Sequence, residues 1–214
     1  MIKVIVFDFD GVILESADIK TDAFAELFSD YPGKQKEIVD YHLANAGISR
    51  YVKFRHIYKN ILKLPLTELE EKELGSRFTR IVFEKILETP FVRGAREFLE
   101  DNRKEYKMFI ASGTPEEELL EIILKRGLNK YFTEIHGSPK KKLDIITGII
   151  ARHGLRKNEI LYIGDAQSDR IAAEQAGVNF VERNSSVGKY DADKSIIADL
   201  EHLDACVKKL NKDI

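Results

Sequence analysis

The segment KVIVFDFDG at residues 3–11 decides the fold class of this protein. A continuous apolar run that ends in polar residues is typical of a strand buried on both faces, as in a parallel sheet covered by helices. Two further apolar runs, at residues 108–111 and 160–163, end just before Ser112 and Gly164. Because helical patterns follow these runs, the sequence predicts an α/β protein with an open parallel sheet.

A long helical stretch separates the first predicted strand from the second. Three helices are predicted in it: at residues 18–28, between Ser49 and Pro65, and from the Thr67/Glu70 capping box to Pro90. We therefore expect a Rossmann-like parallel sheet core flanked by helices, built from residues 1–14 and 91–214. Residues 15–90 would form an inserted all-helical cap, joined to the core by two segments that could act as a hinge.

Composition excludes several classes of protein. The chain has 214 residues, 43% hydrophobic and 33% charged, so it can form a substantial core without disulfides or a structural metal. Its formal net charge is -2, so the chain lacks the excess of basic residues that is typical of nucleic-acid-binding proteins. Asp8 and Asp10 interrupt the first apolar run before a signal or membrane span is complete, and the one cysteine, Cys206, cannot form an internal disulfide. We expect a cytoplasmic monomer or homodimer with no membrane or nucleic-acid partner, and an inert Cys206.

Four carboxylates follow the predicted strands, at the edge where open α/β sheets bind ligands. Asp8 and Asp10 point the same way in an extended segment, and Gly11 lets the backbone turn tightly beside a bound anion. Asp165 and Asp169 are one helical turn apart. Turn formation and helix capping are the alternative roles of these residues. Because several carboxylates stay ionised together only beside a divalent cation, we expect a Mg²⁺ site.

A second polar motif combines hydroxyl groups and free backbone N–H groups. Ser112, Gly113 and Thr114 lie at a strand end and helix start, which suits a phosphoryl oxygen. Thr114 is predicted as the N-cap and Pro115 as the first helical residue, and capping is the alternative role of the hydroxyls. The lysines at 140–142 either begin a solvated helix or are held there by an anion or by the carboxylates, since lysine is unfavourable near a helix N-terminus.

A basic stretch in the insert, with Arg50, Lys53 and Arg55, follows a break in the helical pattern at residues 47–49. A loop that closes over the sheet edge would bring a cation to the non-reacting end of a substrate. The alternative is the solvated face of an amphipathic helix. Arg50 is our candidate for substrate binding.

Together, the motifs resemble those of the haloacid dehalogenase (HAD) superfamily. They are DFDGV at 8–12, SGTP at 112–115, the lysine run at 140–142, and GD at 164–165 with Asp169. The resemblance covers essentially the whole chain, includes a helical cap between the first two motifs, and is greatest to phosphoglycolate-phosphatase-like members.

The resemblance implies a role for each motif residue. Asp8 attacks phosphorus, and Asp10 protonates the leaving alcohol and then activates water. Ser112 and a lysine hold the phosphoryl oxygens, with Gly11, Gly113 and Thr114 also in the substrate site. The lysine is Lys140 by its spacing to Asp144 and Lys142 by the pattern Gly-Ser-Pro-x-x-Lys; we choose Lys142. Mg²⁺ is bound by Asp8, the backbone carbonyl of Asp10 and Asp165, while Asp169 ligates or braces it.

These roles predict a Mg²⁺-dependent phosphatase acting on a small phosphorylated metabolite, either phosphoglycolate-like or a sugar phosphate. The acid role of Asp10 requires a raised pKa, so that the carboxyl group is protonated when the substrate arrives. A sugar phosphomutase would share the aspartyl-phosphate intermediate and is the main alternative. A phosphoryl-accepting signalling module would be far shorter, and a dehalogenase would need neither Mg²⁺ nor Asp10 as an acid.

Overall fold

The computed structural model describes residues 1–186 and 195–213. Its strands are β1 (Val4–Phe7), β2 (Lys107–Pro115), β3 (Phe132–Ser138), β4 (Ile160–Gly164), β5 (Asn179–Arg183) and β6 (Ile196–Ile197). They form one six-stranded sheet in the order β3-β2-β1-β4-β5-β6, and each neighbouring pair is parallel. The predicted Rossmann-like α/β class is confirmed.

Helices flank the sheet and form the insert. Those of the insert are α1 (Ala17–Leu27), α2 (Gln35–Ala44), α3 (Arg50–His56) with a π-helical turn at Ile57–Leu62, and α4 (Glu68–Glu88). Those that follow are α5 (Ala95–Asn102), α6 (Glu116–Lys125), α7 (Lys142–His153), α8 (Gln167–Ala176) and α9 (Leu203–Asp213). Within the two described ranges, no helix has both the length and the apolar character needed to cross a membrane.

Two apolar layers explain the continuous hydrophobic run of β1. Ile5 and Phe7 enter the layer on one face, where the Phe7 ring lies 6.2 Å from that of Phe98 in α5. Val4 and Val6 enter the layer on the other face, which contains apolar residues of α7 and α8. Since alternate side chains of a strand point to opposite faces, burial on both sides requires apolar residues at every position.

The insert has its own aromatic core, which continues into one of these layers. The ring centroid of Phe24 lies 5.0 Å from that of Phe78 and 5.8 Å from that of Phe54, which joins α1 to α4 and α3. The predicted capping box at the start of α4 is present: the Glu70 N–H donates to Thr67 Oγ1 at 3.2 Å, and the Thr67 N–H donates to Glu70 Oε2 at 2.8 Å. Satisfying both free donors fixes where the longest helix begins.

Two parts of the insert differ from the prediction. The helix after Ser49 is not uniform, because α3 passes into the π-helical turn, which ends at Lys63 in a left-handed conformation with φ of 59°. Helix α2 was not predicted as a separate element. It buries only Ile38 and His42, one turn apart, so its apolar periodicity is weak.

The chain segments that enter and leave the insert lie side by side. The Val92 N–H donates to the Ile13 carbonyl at 3.0 Å, and the Glu15 N–H donates to the Pro90 carbonyl at 3.1 Å. This antiparallel pairing directly follows the first motif. The two joints of the insert are therefore paired with each other, and the entering one lies a few residues after Asp10 in the chain.

Candidate active site

Strand register brings three polar motifs to one edge of the sheet. Phe7 at the end of β1 pairs with Ile110 of β2 and Ile163 of β4, so the three strands reach the edge together. The residues that follow line a cavity of about 140 Å³ between the sheet and the insert. Its lining on the sheet side includes Asp8, Asp10, Ser112, Gly113, Thr114 and Asp165. The predicted convergence of the motifs is thus present.

Asp8 is the most enclosed carboxylate of the first motif, with 2% exposure. Its Oδ2 accepts from Lys142 Nζ at 2.8 Å, and its Oδ1 accepts from the Phe9 N–H at 2.7 Å. Burial raises the pKa of Asp8 well above its usual value; Lys142 opposes this rise, and the carboxylates of Asp169 and Asp165 reinforce it. A nucleophilic Asp8 therefore needs more positive charge nearby than Lys142 provides.

Asp165 and Asp169 complete a carboxylate cluster with Asp8. One oxygen of each of the three residues lies within 4.8 Å of the others. Asp169 is fully buried and accepts hydrogen bonds from Lys142 Nζ at 2.5 Å and the Ala166 N–H at 3.1 Å. Burial and repulsion by Asp169 raise the pKa of Asp165 to about 7. These carboxylates repel one another in a site where Asp8 and Asp169 are buried.

The donor set fits a divalent cation. Asp8, Asp165 and Asp169 offer only oxygen ligands, the preference of Mg²⁺ and Ca²⁺. Counting Asp10, four carboxylates face two lysines at this edge, which leaves an excess of two negative charges. The Asp10 side chain lies outside the three-residue cluster, so only its backbone carbonyl remains as a predicted ligand.

Asp10 differs from the prediction in its proton affinity. Its Oδ1 accepts from Ser16 Oγ at 2.7 Å, and its Oδ2 accepts from Thr114 Oγ1 at 2.9 Å and from Lys20 Nζ. Burial favours protonation, but the Lys20 ammonium and the three hydrogen bonds outweigh it and lower the pKa of Asp10. The expected raised pKa is wrong for this geometry, because every partner of Asp10 donates to its ionised form.

The two lysines considered for the third motif have different surroundings. Lys142 is the first residue of α7 and contacts Asp8 and Asp169. Although burial opposes it, these carboxylates raise the pKa of Lys142 above its usual value. Lys140 is half exposed and pairs with Glu116 at 2.9 Å. The carboxylate cluster accounts for a lysine at an unfavourable helix N-terminus.

Thr114 has a different local role from the one predicted. Strand β2 continues to Pro115, and α6 begins at Glu116, so Thr114 is not an N-cap. Its hydroxyl instead donates to Asp10, while its N–H donates to Ser112 Oγ at 3.1 Å. The second motif therefore reaches the first motif through a side chain.

Two glycines allow close approaches that no other residue would permit. Gly11 has φ of +75°, and a Cβ there would overlap Asp165 Oδ2. In the loop before α3, Gly47 has φ of +72°, and a Cβ there would lie 2.8 Å from Lys142 Nζ. Ser168 Oγ also donates to the Ala46 carbonyl at 2.9 Å. The insert loop thus lies directly against the third and fourth sequence motifs.

The basic stretch of the insert is divided between cavity and solvent. Arg50 is buried, pairs with Glu118 of α6 at 2.5 Å, and donates to Thr79 of α4 at 3.0 Å. Lys53 is 3% exposed, whereas Arg55 is exposed. The alternative of a solvated face is therefore wrong for Arg50 and Lys53. Arg50 lines the cavity but already has a carboxylate partner.

Sequence reasoning missed three polar residues of the site. Lys20 binds Asp10 and Thr114, the Tyr162 hydroxyl donates to Asp169, and His42 lines the cavity. A signal for Lys20 was present, because it is spaced to share a helix face with the buried Phe24 and Leu27. A charged residue on such a face needs a buried partner.

Three known proteins are similar to this chain in sequence or in fold. A phosphorylated carbohydrates phosphatase of Thermotoga maritima is 24% identical over 183 residues, covering 82% of each chain. A phosphoglycolate phosphatase of Photorhabdus laumondii is 27% identical over 193 residues, covering 82% of this chain and 77% of that protein. The crystal structure of a β-phosphoglucomutase from Clostridium difficile superposes with a TM-score of 0.78 at 18% identity, covering 99% of this chain and 98% of that chain.

A family model places these similarities in one group. The model described as haloacid dehalogenase-like hydrolase matches residues 5–182, which include the carboxylates, Ser112 and Lys142. The match spans well over half of the 214 residues. The chain therefore belongs to the haloacid dehalogenase-like hydrolase family.

Proposed function

We propose that the protein is a phosphatase that hydrolyses small phosphate monoesters through an aspartyl-phosphate on Asp8. One observation carries the proposal: Asp8, Asp10 and Ser112 line a single cavity, and a buried lysine, Lys142, contacts Asp8. This set supplies a nucleophile, a group for proton transfer and positive charge together. The relatives named as phosphatases of carbohydrate phosphates and of phosphoglycolate support this class of reaction.

In the first step an Asp8 oxygen forms a bond to phosphorus and the ester P–O bond breaks. The leaving oxygen takes a proton from the carboxyl group of Asp10. Because Lys20 and Thr114 hold Asp10 in its ionised form in this geometry, the step requires Asp10 to gain a proton while its contact with Lys20 weakens. Lys20 thus opposes the acid form of Asp10.

In the second step the ionised form of Asp10 is the useful one. Its carboxylate takes a proton from a water molecule, whose oxygen forms a bond to phosphorus as the bond to Asp8 breaks. Inorganic phosphate leaves, Asp8 is regenerated, and Asp10 has regained the proton that it donated. The contacts with Lys20 and Ser16 stabilise the form of Asp10 that acts as this base.

The transferred group is held by residues of several motifs. We assign its oxygens to Ser112, to Lys142 and to the backbone N–H of Gly113, with Gly11 keeping the backbone close. The Thr114 N–H would join them only by releasing the Ser112 hydroxyl, to which it donates here. Mg²⁺ would be held by Asp8, Asp165, Asp169 and the backbone carbonyl of Asp10, since these offer the oxygen ligands it prefers. When bound it supplies the positive charge that the carboxylates lack.

The insert would select the substrate. We propose that residues 15–90 act as a cap over a core of residues 1–14 and 91–214, because the loop at Gly47 lies against Lys142 and Ser168. Only a substrate that fits between the two parts is then accepted.

A panel of phosphate monoesters tests the proposal. The purified protein should release inorganic phosphate from at least one small ester, lose that activity in excess EDTA and regain it with added Mg²⁺. Release of phosphate, rather than isomerisation of a sugar phosphate, distinguishes hydrolysis from the mutase reaction. Full activity in a rigorously metal-free sample would contradict the metal assignment, and no release from any ester would contradict the function.

A further inference from the structure

Among the described residues that line the cavity, one cationic side chain has no counter-ion. Each of three cations has a carboxylate partner: Lys142 with Asp8 and Asp169, Lys20 with Asp10, and Arg50 with Glu118. Lys53 also lines the cavity, yet within residues 1–186 and 195–213 no carboxylate oxygen lies within 4.0 Å of its Nζ. The cavity therefore contains a buried lysine that has no counter-ion in the described fold.

The actual partners of Lys53 are neutral. Its Nζ lies 3.1 Å from His42 Nδ1 and 3.4 Å from the His42 carbonyl oxygen, and it lies 5.3 Å from the centroid of the Phe24 ring. Burial, together with the nearby charges of Lys53 and Lys20, lowers the pKa of His42 to about 3. The imidazole is therefore neutral near pH 7 and accepts a hydrogen bond without supplying negative charge.

A lysine at 3% exposure with no counter-ion destabilises a fold while it is charged, unless it loses its proton or an anion binds to it. Burial and repulsion by Lys20 and Lys142 lower the pKa of Lys53 to about 7, with Asp10 only partly opposing this effect. A bound anion would favour the charged form and remove the penalty. A ligand with a negative charge beside Lys53 would therefore explain why a lysine is buried at this position.

We propose that Lys53 binds a carboxylate at the end of the substrate remote from the phosphate, so that the substrate is the phosphate ester of a short hydroxy acid. The inference rests on the proposed function, because it places the phosphate at Asp8. Size favours a short acid, since a cavity of about 140 Å³ is below the ~300–1,000 Å³ typical of sites for drug-sized ligands. A neutral sugar hydroxyl would leave the charge of Lys53 unmatched.

Lys53 is distinct from the earlier candidate, Arg50. The guanidinium of Arg50 donates to Glu118 and to Thr79, and it lies 4.4 Å from the centroid of the Phe78 ring. These contacts join α3, α4 and α6. Arg50 thus supports the wall of the cavity, while Lys53 offers an amino group that has no carboxylate partner among residues 1–186 and 195–213.

Binding to a variant that cannot turn over separates the two ends of the substrate. We would measure calorimetric affinities of Asp8→Asn, with Mg²⁺ present, for 2-phosphoglycolate and for 2-hydroxyethyl phosphate, in which a neutral CH₂OH replaces the carboxylate. Adding Lys53→Met should weaken binding of the acid ester by about 30-fold or more, the scale for removing one member of a buried charge pair. Binding of the neutral ester should change by less than about three-fold, within the scatter of ordinary surface substitutions.

The matched control is Lys59→Met, which removes an exposed lysine from the next helical turn of the insert. It should change neither affinity. Equal losses for both esters in Lys53→Met, or no loss in either, would overturn the carboxylate assignment while leaving the phosphatase proposal intact. Absence of binding of both esters to Asp8→Asn, together with no phosphate release by the unmodified protein, would overturn the function and this inference with it.

A second measurement uses the unmodified protein and does not depend on the folding of a variant. The kcat/KM of the acid ester should exceed that of the neutral ester by at least about ten-fold, which corresponds to 1.4 kcal/mol of transition-state binding. A ratio near one, with phosphate released from both esters, would show that no carboxylate is recognised.

Discussion

The sheet edge and the inserted helices line the same cavity with opposite excesses of charge. At the sheet edge, Asp8, Asp165 and Asp169 crowd around one lysine, Lys142, so negative charge is in excess. On the insert side, Lys53 faces the cavity with no carboxylate partner among the described residues. This contrast favours the proposed roles of the two sides. In that proposal the sheet edge binds cations and transfers the phosphoryl group, and the insert binds the rest of the substrate.

The two sides also differ in how their residues are positioned. Asp8, Ser112 and Asp165 are fixed by strand register, which is rigid and set by the core. Lys20 and Lys53 reach the cavity only because the insert packs onto the sheet. Changes at the sheet edge should therefore affect all substrates alike, whereas changes in the insert should depend on the substrate or on the stability of the packing.

The largest effect is expected from Asp8→Asn. Removing the attacking carboxylate should lower turnover to the background rate for every ester. The expected loss is about 10⁶-fold, as is typical when an enzyme loses its nucleophile. Steady-state assays and acid-quench trapping with labelled substrate measure this, and no covalent phosphoenzyme should form. A phosphoenzyme trapped in this variant would show that the nucleophile is another residue.

Asp10→Asn should produce a smaller loss that depends on the leaving group. It leaves Asp8 in place but removes the proton donor and the base for water, help that is typically worth about 10²–10⁴-fold. The rate of hydrolysis should fall less for an activated aryl phosphate than for an alkyl phosphate, and a phosphorylated Asp8 should accumulate. Identical losses for aryl and alkyl esters would contradict the acid role of Asp10.

Arg50→Leu tests the packing of insert against sheet. The substitution leaves Glu118 buried without its cation, which should lower the free energy of unfolding by about 3–5 kcal/mol. The double variant Arg50→Leu/Glu118→Leu should recover most of this loss, because it removes both buried charges. Urea denaturation measures both changes. If the single variant is as stable as the unmodified protein but has a raised KM only for its best substrate, Arg50 binds substrate as the sequence suggested.

The smallest effect is a shift of the pH profile in Lys20→Met. Lys20 lowers the pKa of Asp10, so removing it should raise that pKa, and the acid form of Asp10 should persist to higher pH. The alkaline limb of kcat/KM for an alkyl phosphate should therefore move to higher pH. Lys36→Met, at an exposed position of α2, is the control and should leave the profile unchanged. An unchanged profile in Lys20→Met would show that Lys20 does not set the proton affinity of Asp10.

The fold class and the chemical motifs were predictable because their signals are local in the chain. Apolar runs that end in polar residues identified β1, β2 and β4, and parallel pairing of these strands then required their ends to meet. The capping box of α4 was equally clear, since Thr67 and Glu70, three positions apart in the chain, contain all of its atoms. Such features depend on short-range geometry, so a short stretch of sequence is enough to identify them.

The environment of each charged group was decided by tertiary structure. The sequence did not place Lys20 beside Asp10 or Glu118 beside Arg50, because these partners come from different elements and meet only when the insert packs on the sheet. For that reason the direction of the Asp10 pKa shift was mispredicted, and the burial of Lys53 beside His42 went unnoticed. A pKa depends on every charge and dipole within several ångströms, and only the folded chain determines which groups these are.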